Sequence, residues 1–369
     1  METRDESVKK ERIQSVDALR GFDMFWIIGG QPFVLALCTL FVNPLPEWFS
    51  RQFEHVQWEG FVAWDLIMPL FLFVTGVSMP FSFGKRLLTG QGYAGIYKKI
   101  IRRVILLWIL GLIAQGNLLD FDLSRLHLYS NTLQAIAAGY LISAIVLLHV
   151  PKAWHYAVTA ALLILFWLLL TFVPVPGVGA GVLEPKANLA MFVDETVLGR
   201  FRDGTTYTWI LSSLGFGGTV MLGVHAGQWL KSDRSQKQKL LLLLGAGAAC
   251  LAAGWICSIW LPIIKHIWTS SMVLWAAGWS YLLLAAFYGI IDMLGYRKWA
   301  FPLVVIGMNA IAIYMGSHVF EFAVLGNDLV GGLAKQAGAL GQLISTFAVL
   351  ALEWGVLYYM YRKNTFIRV

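Results

Sequence analysis

Charge is scarce in this sequence. Only 13% of its 369 residues are Asp, Glu, Lys or Arg, whereas 58% are hydrophobic. With a mean hydropathy of +0.67, that scarcity excludes the soluble globular and disordered classes and leaves the polytopic membrane class. Cysteine is rarer still: Cys38, Cys250 and Cys257 all fall in apolar runs, so neither a disulfide framework nor a thiolate metal site is expected, and no metal. The chain also lacks a Walker or Rossmann glycine pattern, an H-E-x-x-H pair and a G-x-S-x-G elbow, which removes support for soluble-type nucleotide, zinc-protease and serine-hydrolase chemistry. No basic-aromatic module accompanies the net charge of +7. Its cations cluster in alternate short loops, as membrane orientation requires, so nucleic acid is not an expected partner.

What is present is apolar length. Windows long enough to cross a bilayer occur near 19–41, 61–83, 100–116, 132–150, 153–174, 207–230, 240–261, 270–294, 299–320 and 339–361. They predict an all-α polytopic membrane protein, a bundle of about ten transmembrane helices in the lipid bilayer, with a short re-entrant piece left open between 299 and 335. Lys9, Lys10, Arg12, then Lys85, Arg86, Lys98, Lys99, Arg102 and Arg103, then later clusters through Arg362, Lys363 and Arg368 fall an even number of crossings apart. The positive-inside rule therefore predicts both termini cytoplasmic. Residues 1–18 read as a cytoplasmic N-terminal segment, polar for too long to be a signal peptide. The long loop 175–206 lies on the opposite, outer side, where loops of that length tend to be functional.

The chemistry concentrates in His55-Val-Gln-Trp-Glu-Gly-Phe-Val-Ala-Trp-Asp65, at the outer mouth of the second span. A carboxylate at the bilayer centre costs about 2.5–3.5 kcal/mol on insertion scales. An imidazole beside a carboxylate can serve as a general base or a transient acyl acceptor, the carboxylate fixing its tautomer. Other polar groups inside the spans should face the bundle interior. Asp17 and Arg20 form an i,i+3 pair, Asp23 lies a turn deeper, and Gln31 sits in Gly29-Gly30-Gln31-Pro32, where a helix break is expected. Asn131 and Gln134 open the fourth span, as a helix cap or as a binding pair. Asn309 lies in a Gly-Met-Asn turn and should have a partner. Gly215, Gly217, Gly218, Gly223 and Gly227 make a small-residue packing face.

RIQSVDALRGFDMFW, HVQWEGFVAWDLIMPLFLFVTGVSM, NTLQAIAAGY, NLAMFVDETVLG, LGVHAGQWL, PIIKHIWTSS and GMNAIAIYMG, in this order, resemble the heparan-alpha-glucosaminide N-acetyltransferase family and its bacterial relatives. The likeness runs from about Arg12 to the C-terminus and implies one transmembrane acyltransferase domain over 1–369. It implies acetyl-CoA as co-substrate, taken from the cytoplasm, and an amino-sugar or glycan acceptor of glucosamine type on the outer face. The catalytic pair is then His55 with Asp65. Gln31, Trp58, Gln134, Asp194, Lys265, Trp268 and Asn309 are candidate substrate contacts, and the basic mouth with Arg20, Lys98 and Arg102 is a candidate cofactor contact for the CoA phosphates. The resemblance further implies a bacterial inner-membrane protein with a periplasmic His55 loop, and it alone suggests a homodimer.

The chain departs from that pattern in three places. It has Gln31 where the relatives have asparagine and Ala135 where they have arginine, and its His318 is displaced by one position, so His318 is given no role. A different class, a secondary transporter or flippase for a glycan or lipid-linked sugar, is motivated by Asp23, Asp65, Asn309 and the expected break in the first helix.

Overall fold

The computed structural model describes residues 13–88, 93–116, 118 and 121–367, without side chains for 84–88. The cations Lys9, Lys10, Arg12 and Arg368, and the side chains of Lys85 and Arg86, lie outside the described residues. The elements are α1 (Gln14–Phe25), α2 (Gln31–Thr39), α3 (Glu47–Ser50), α4 (Ile67–Leu88), α5 (Tyr93–Ala114), α6 (Thr132–His149), α7 (His155–Phe172), α8 (Leu189–Leu198), α9 (Ser213–Lys231), α10 (Gln236–Cys257), α11 (Ser270–Phe287), α12 (Phe301–Met308), α13 (Ala310–Val319), α14 (Phe322–Gln336) and α15 (Gly341–Arg362). Among the described residues there are no strands beyond two isolated bridges, and the protein is an all-α polytopic membrane protein. Seven helical segments are long and apolar enough to cross a bilayer, or eight if the bent pair α12–α13 counts as one. Two further expected spans coincide with α5, whose first turns carry Lys98, Lys99, Arg102 and Arg103, and with the glycine-rich α9.

The first span breaks where its glycines stand. A π turn at Trp26–Gly30 joins α1 to α2, and Gly29 sits at φ 139°, a conformation a side chain would strain. Pro32 follows in the first turn of α2, where its missing N–H costs no helical bond. The centre of the bundle is α4 against α9. A Cβ on Gly223 would stand 2.0 Å from the Phe73 carbonyl oxygen, and one on Gly76 equally close to that of Val220, so only glycine permits this backbone approach. Phe73, Tyr281, Phe216 and Trp268 fill the surrounding core.

Near the C-terminus the chain bends by 74° between α12 and α13. At 15 residues α14 is about 22 Å long, too short to cross alone. Gly326 packs on Val349 and Gly341 on Ala334, so α14 runs antiparallel to α15. The bent pair α12–α13 thus stands where one straight helix was expected, as a broken span or a re-entrant loop. Asn309, at the bend, donates from Nδ2 to the Thr365 carbonyl at 3.1 Å and accepts the Ile367 N–H at 3.0 Å, which ties the chain after α15 to the break.

The connections sort into two ends. Lys231 at the end of α9 donates to the Pro80 carbonyl in the second half of α4, and Asp292 accepts the N–H groups of Gln14 and Ser15 at the start of α1. At the other end, residues 55–62, 183–209 and 262–269 meet.

Candidate active site

His55 is placed by a chain of loop contacts. Gln31 Nε2 donates to the Phe53 carbonyl at 2.7 Å, so the break in the first span holds the loop two residues before the imidazole. A 3-10 turn at Ala63–Leu66 leads into α4 and buries Asp65 to 1% exposure. Asp65 Oδ2 accepts the N–H groups of Val62 at 3.3 Å and Val56 at 3.5 Å. A helix start favours a carboxylate there because its amides are otherwise unpaired.

The other oxygen does different work. Asp65 Oδ1 lies 2.7 Å from His55 Nδ1 and 3.3 Å from Lys265 Nζ, and that Nζ is 3.2 Å from the same ring nitrogen. Lys265 reaches this place across the sequence because its loop is pinned to the His55 stretch. Gly60 N–H donates to the Ile263 carbonyl at 2.9 Å, and Glu59 bridges Ile264. The Asp65 carboxylate and the Lys265 ammonium offset each other's charge, a balance that makes a buried ion pair tolerable.

The surroundings shift the nearby titrations. Burial pulls the Lys265 ammonium down to about 8 against the opposing attraction of Asp65. Burial, then the Lys265 charge, brings His266 down to about 4. That ring stacks on Tyr207 at 4.1 Å between centroids and hydrogen-bonds Thr206 Oγ1 at 2.6 Å. Burial, then the Asp65 charge, raises the Tyr207 phenol to about 12.

His55 and Lys265 form part of the wall of a cavity of about 450 Å³. Trp64, Met68 and Phe71 continue that wall along α4, and the six-residue step from Asp65 to Phe71 carries it about 9 Å toward the bilayer interior. Asn131 and Tyr314, hydrogen-bonded to each other at 3.3 Å, also line the cavity. Asp203 and Tyr207 line it as well, with His318 beside Tyr314. His55 keeps 45% of its side chain exposed there. With Nδ1 committed to Asp65, Nε2 is the nitrogen left for a bound molecule.

The structure brings His55, Asp65 and Lys265 together and sets the other candidates apart from them. Trp58 donates from its indole to the Leu183 carbonyl at 2.9 Å and packs edge-on against His266, joining the 175–206 loop to the His55 stretch. Gln134 is fully buried: Oε1 accepts the N–H groups of Ser130 and Asn131, and Nε2 donates to Leu128. With Asn131 it forms a capping box on α6. Asp194 accepts the N–H groups of Trp209 at 2.7 Å and Ile210 at 2.9 Å, and burial raises it to about 6 in spite of those bonds. Trp268 is in the core, donating to Thr219, and Asn309 holds the C-terminal residues. Arg20 hydrogen-bonds Ser78 at 2.7 Å and pairs with Asp17 at 3.5 Å. Lys98 and Arg102 are exposed on α5.

Sequence reasoning gave no role to Trp64, Asp203, Tyr207, Tyr314 or His318. Trp64 had a signal, an indole directly before the key carboxylate. The others come from segments far from His55 in the chain, and only folding gathers them. Among the described residues no group of three or more His, Cys, Asp or Glu is placed to hold a metal ion.

No family model matches the chain. It is 25% identical over 434 aligned positions to a heparan-alpha-glucosaminide N-acetyltransferase of Mus musculus, covering 100% of this chain and 62% of that protein. The protein of the same name from Homo sapiens is 24% identical over 422 positions, covering 97% of this chain and 60% of its own length. The chain thus spans about three fifths of the length of these curated relatives.

Proposed function

We propose that this protein is a membrane acetyltransferase that moves the acetyl group of acetyl-CoA to the amine of a glucosamine-type sugar at the His55 pocket. The observation that carries the reading is the His55–Asp65–Lys265 cluster on the wall of a cavity open to an incoming molecule, in a chain similar along its whole length to proteins named for N-acetyl transfer. Asp65 accepts Nδ1–H, so Nε2 carries the lone pair. That nitrogen takes the proton of the acceptor amine as it attacks the thioester carbonyl, or attacks the carbonyl itself and passes the acetyl group on in a second step. Both routes end with free CoA thiol and an N-acetyl amide. The apolar α4 wall suits an acyl arm, and Asp203 suits a cationic amino sugar.

The positive-inside rule supports a cytoplasmic location for both termini and for the end bearing Lys98 and Arg102, where CoA phosphates would be drawn. His55 then faces outward, into the periplasm if the membrane is a bacterial inner membrane. In this reading residues 1–369 act as one transmembrane acyltransferase domain, and any homodimer forms around that unit.

Purified protein given acetyl-CoA and glucosamine should release CoA and yield an N-acetylated product. His55→Ala should abolish both, and wild-type turnover in that variant would sink the assignment.

A second reading, a transporter or flippase for a glycan or lipid-linked sugar, is favoured by Asp23. It is 1% exposed, and among the described residues neither of its carboxyl oxygens has a hydrogen-bond partner; it lies one turn before the break in the first span. Sugar flux into proteoliposomes lacking CoA would select that reading.

A further inference from the structure

We propose that Lys265 is a positioning residue: Asp65 Oδ1 fixes the Nδ1–H tautomer of His55, and the Lys265 ammonium sharing that oxygen opposes a second proton on the ring, so that Nε2 keeps its lone pair as the reactive nitrogen. This rests on the reading of His55 as the group that handles the acetyl transfer.

The tautomer follows from three distances. Asp65 Oδ1 is 2.7 Å from Nδ1, and at that separation a carboxylate oxygen facing a ring lone pair would be repelled, so the proton lies on Nδ1. Lys265 Nζ then has one acceptor in this cluster, the same Oδ1 at 3.3 Å. Its approach to Nδ1 at 3.2 Å brings positive charge against the edge of the ring. A carboxylate alone would raise the proton affinity of His55, and the ammonium offsets it. Lys265 is only 6% exposed, so water screens this effect little.

Glu54 and Glu59 lie on the His55 loop itself and are exposed to solvent; the other charged or titratable groups come from other segments. His266 adjoins Lys265 in the same loop and, held near 4, is neutral at working pH. Tyr207, pushed to about 12, is neutral as well. Asp203 and His318 line the same cavity. Lys265 is the one cation among these groups, and its attachment is itself structural, because the pairing of Gly60 with Ile263 delivers it. The loop 262–269 therefore serves as a lever that sets the charge of a residue in another loop.

The test is a pH titration of the His55 ring by NMR on detergent-solubilised full-length protein with labelled histidine, assigned by loss of its signal in His55→Gln. It needs no acetyl transfer, so it stands or falls separately from the assignment of activity. In Lys265→Met the ring should titrate about one pH unit higher than in wild type. The acidic limb of kcat/KM should move up by the same amount, and Lys265→Arg should restore both. An unchanged His55 titration in Lys265→Met, with only a lower kcat, would overturn the proposal and leave Lys265 a packing residue. If the neutral variant does not fold, wild type and Lys265→Arg decide. As Lys265 loses its proton, the wild-type His55 resonance should show a second inflection near pH 8, absent from the arginine variant. An inflection in both, or in neither, rejects the coupling.

Discussion

Two buried carboxylates at the same end of the molecule have opposite surroundings. Asp194, in the 175–206 segment, gives its two oxygens to the backbone N–H groups of Trp209 and Ile210. Asp65, at the head of α4, spends one oxygen on backbone and turns the other to an imidazole and an ammonium. Both are almost fully hidden from solvent. The partners separate them: backbone amides cannot change protonation state, so Asp194 anchors a turn, whereas His55 and Lys265 can, so Asp65 is tied to chemistry at the cavity wall. The sharpest way to break this distinction is Asp65→Asn. It should lower kcat/KM for acetyl transfer by about 10²–10⁴, because the amide no longer selects the Nδ1–H tautomer. The melting temperature should fall too, since the buried Lys265 ammonium loses its counter-charge. Retained activity in a folded Asp65→Asn protein would make the two carboxylates equivalent.

Asp194→Asn should do the reverse. Two accepted N–H groups face one amide oxygen and one NH₂, which costs about 1–3 kcal/mol, while acetyl transfer per folded molecule stays within about threefold, or about 0.7 kcal/mol. The pH dependence gives a second check. Burial raises the Asp194 carboxyl from its ordinary range to about 6, so the folded state binds its proton more readily than the unfolded chain. Its contribution to stability is fully present below the unfolded value, 3.8, and is lost as pH rises through about 6. The stability advantage of wild type over Asp194→Asn should therefore widen on acidification from pH 7 to 5, as read from thermal unfolding at both values. A gap that stays constant would mean that Asp194 does not titrate in that window.

The same contrast shows what could be read from the chain. The bilayer dictates apolar length, so the all-α polytopic class was legible from hydropathy; of about ten expected spans, seven, or eight with the bent pair, are long and apolar enough among the described residues. The break in the first span was legible too, because Gly29 and Pro32 leave few other conformations. Hydropathy carries no direction, however: a re-entrant piece between 299 and 335 was left open, but the 74° bend between α12 and α13 could not be placed from it. For Asn131 and Gln134 the sequence allowed a cap or a binding pair. The geometry gives Gln134 to the cap, while Asn131 both caps α6 and reaches Tyr314 at the cavity. Lys265 was visible as a cation in an outer loop. Its place beside Asp65 depends on the pairing of two loops separated by some 200 residues, which no local pattern encodes.

The indoles of the His55 stretch offer the smallest and most discriminating comparison. Trp64 lines the cavity, while Trp58 is turned away to hold the Leu183 carbonyl. Phenylalanine at either position keeps an aromatic ring and removes the indole N–H. At Trp58 the loss is one hydrogen bond between the 175–206 loop and the His55 stretch, about 0.5–1.5 kcal/mol of stability, with KM for the sugar unchanged. At Trp64 the smaller ring withdraws apolar surface from the cavity wall, so KM should rise severalfold while the melting temperature barely moves. Steady-state kinetics and thermal unfolding of the two variants separate these outcomes. If Trp58→Phe raised KM and Trp64→Phe did not, the wall of the functional cavity would lie on the side of the 175–206 loop rather than along α4.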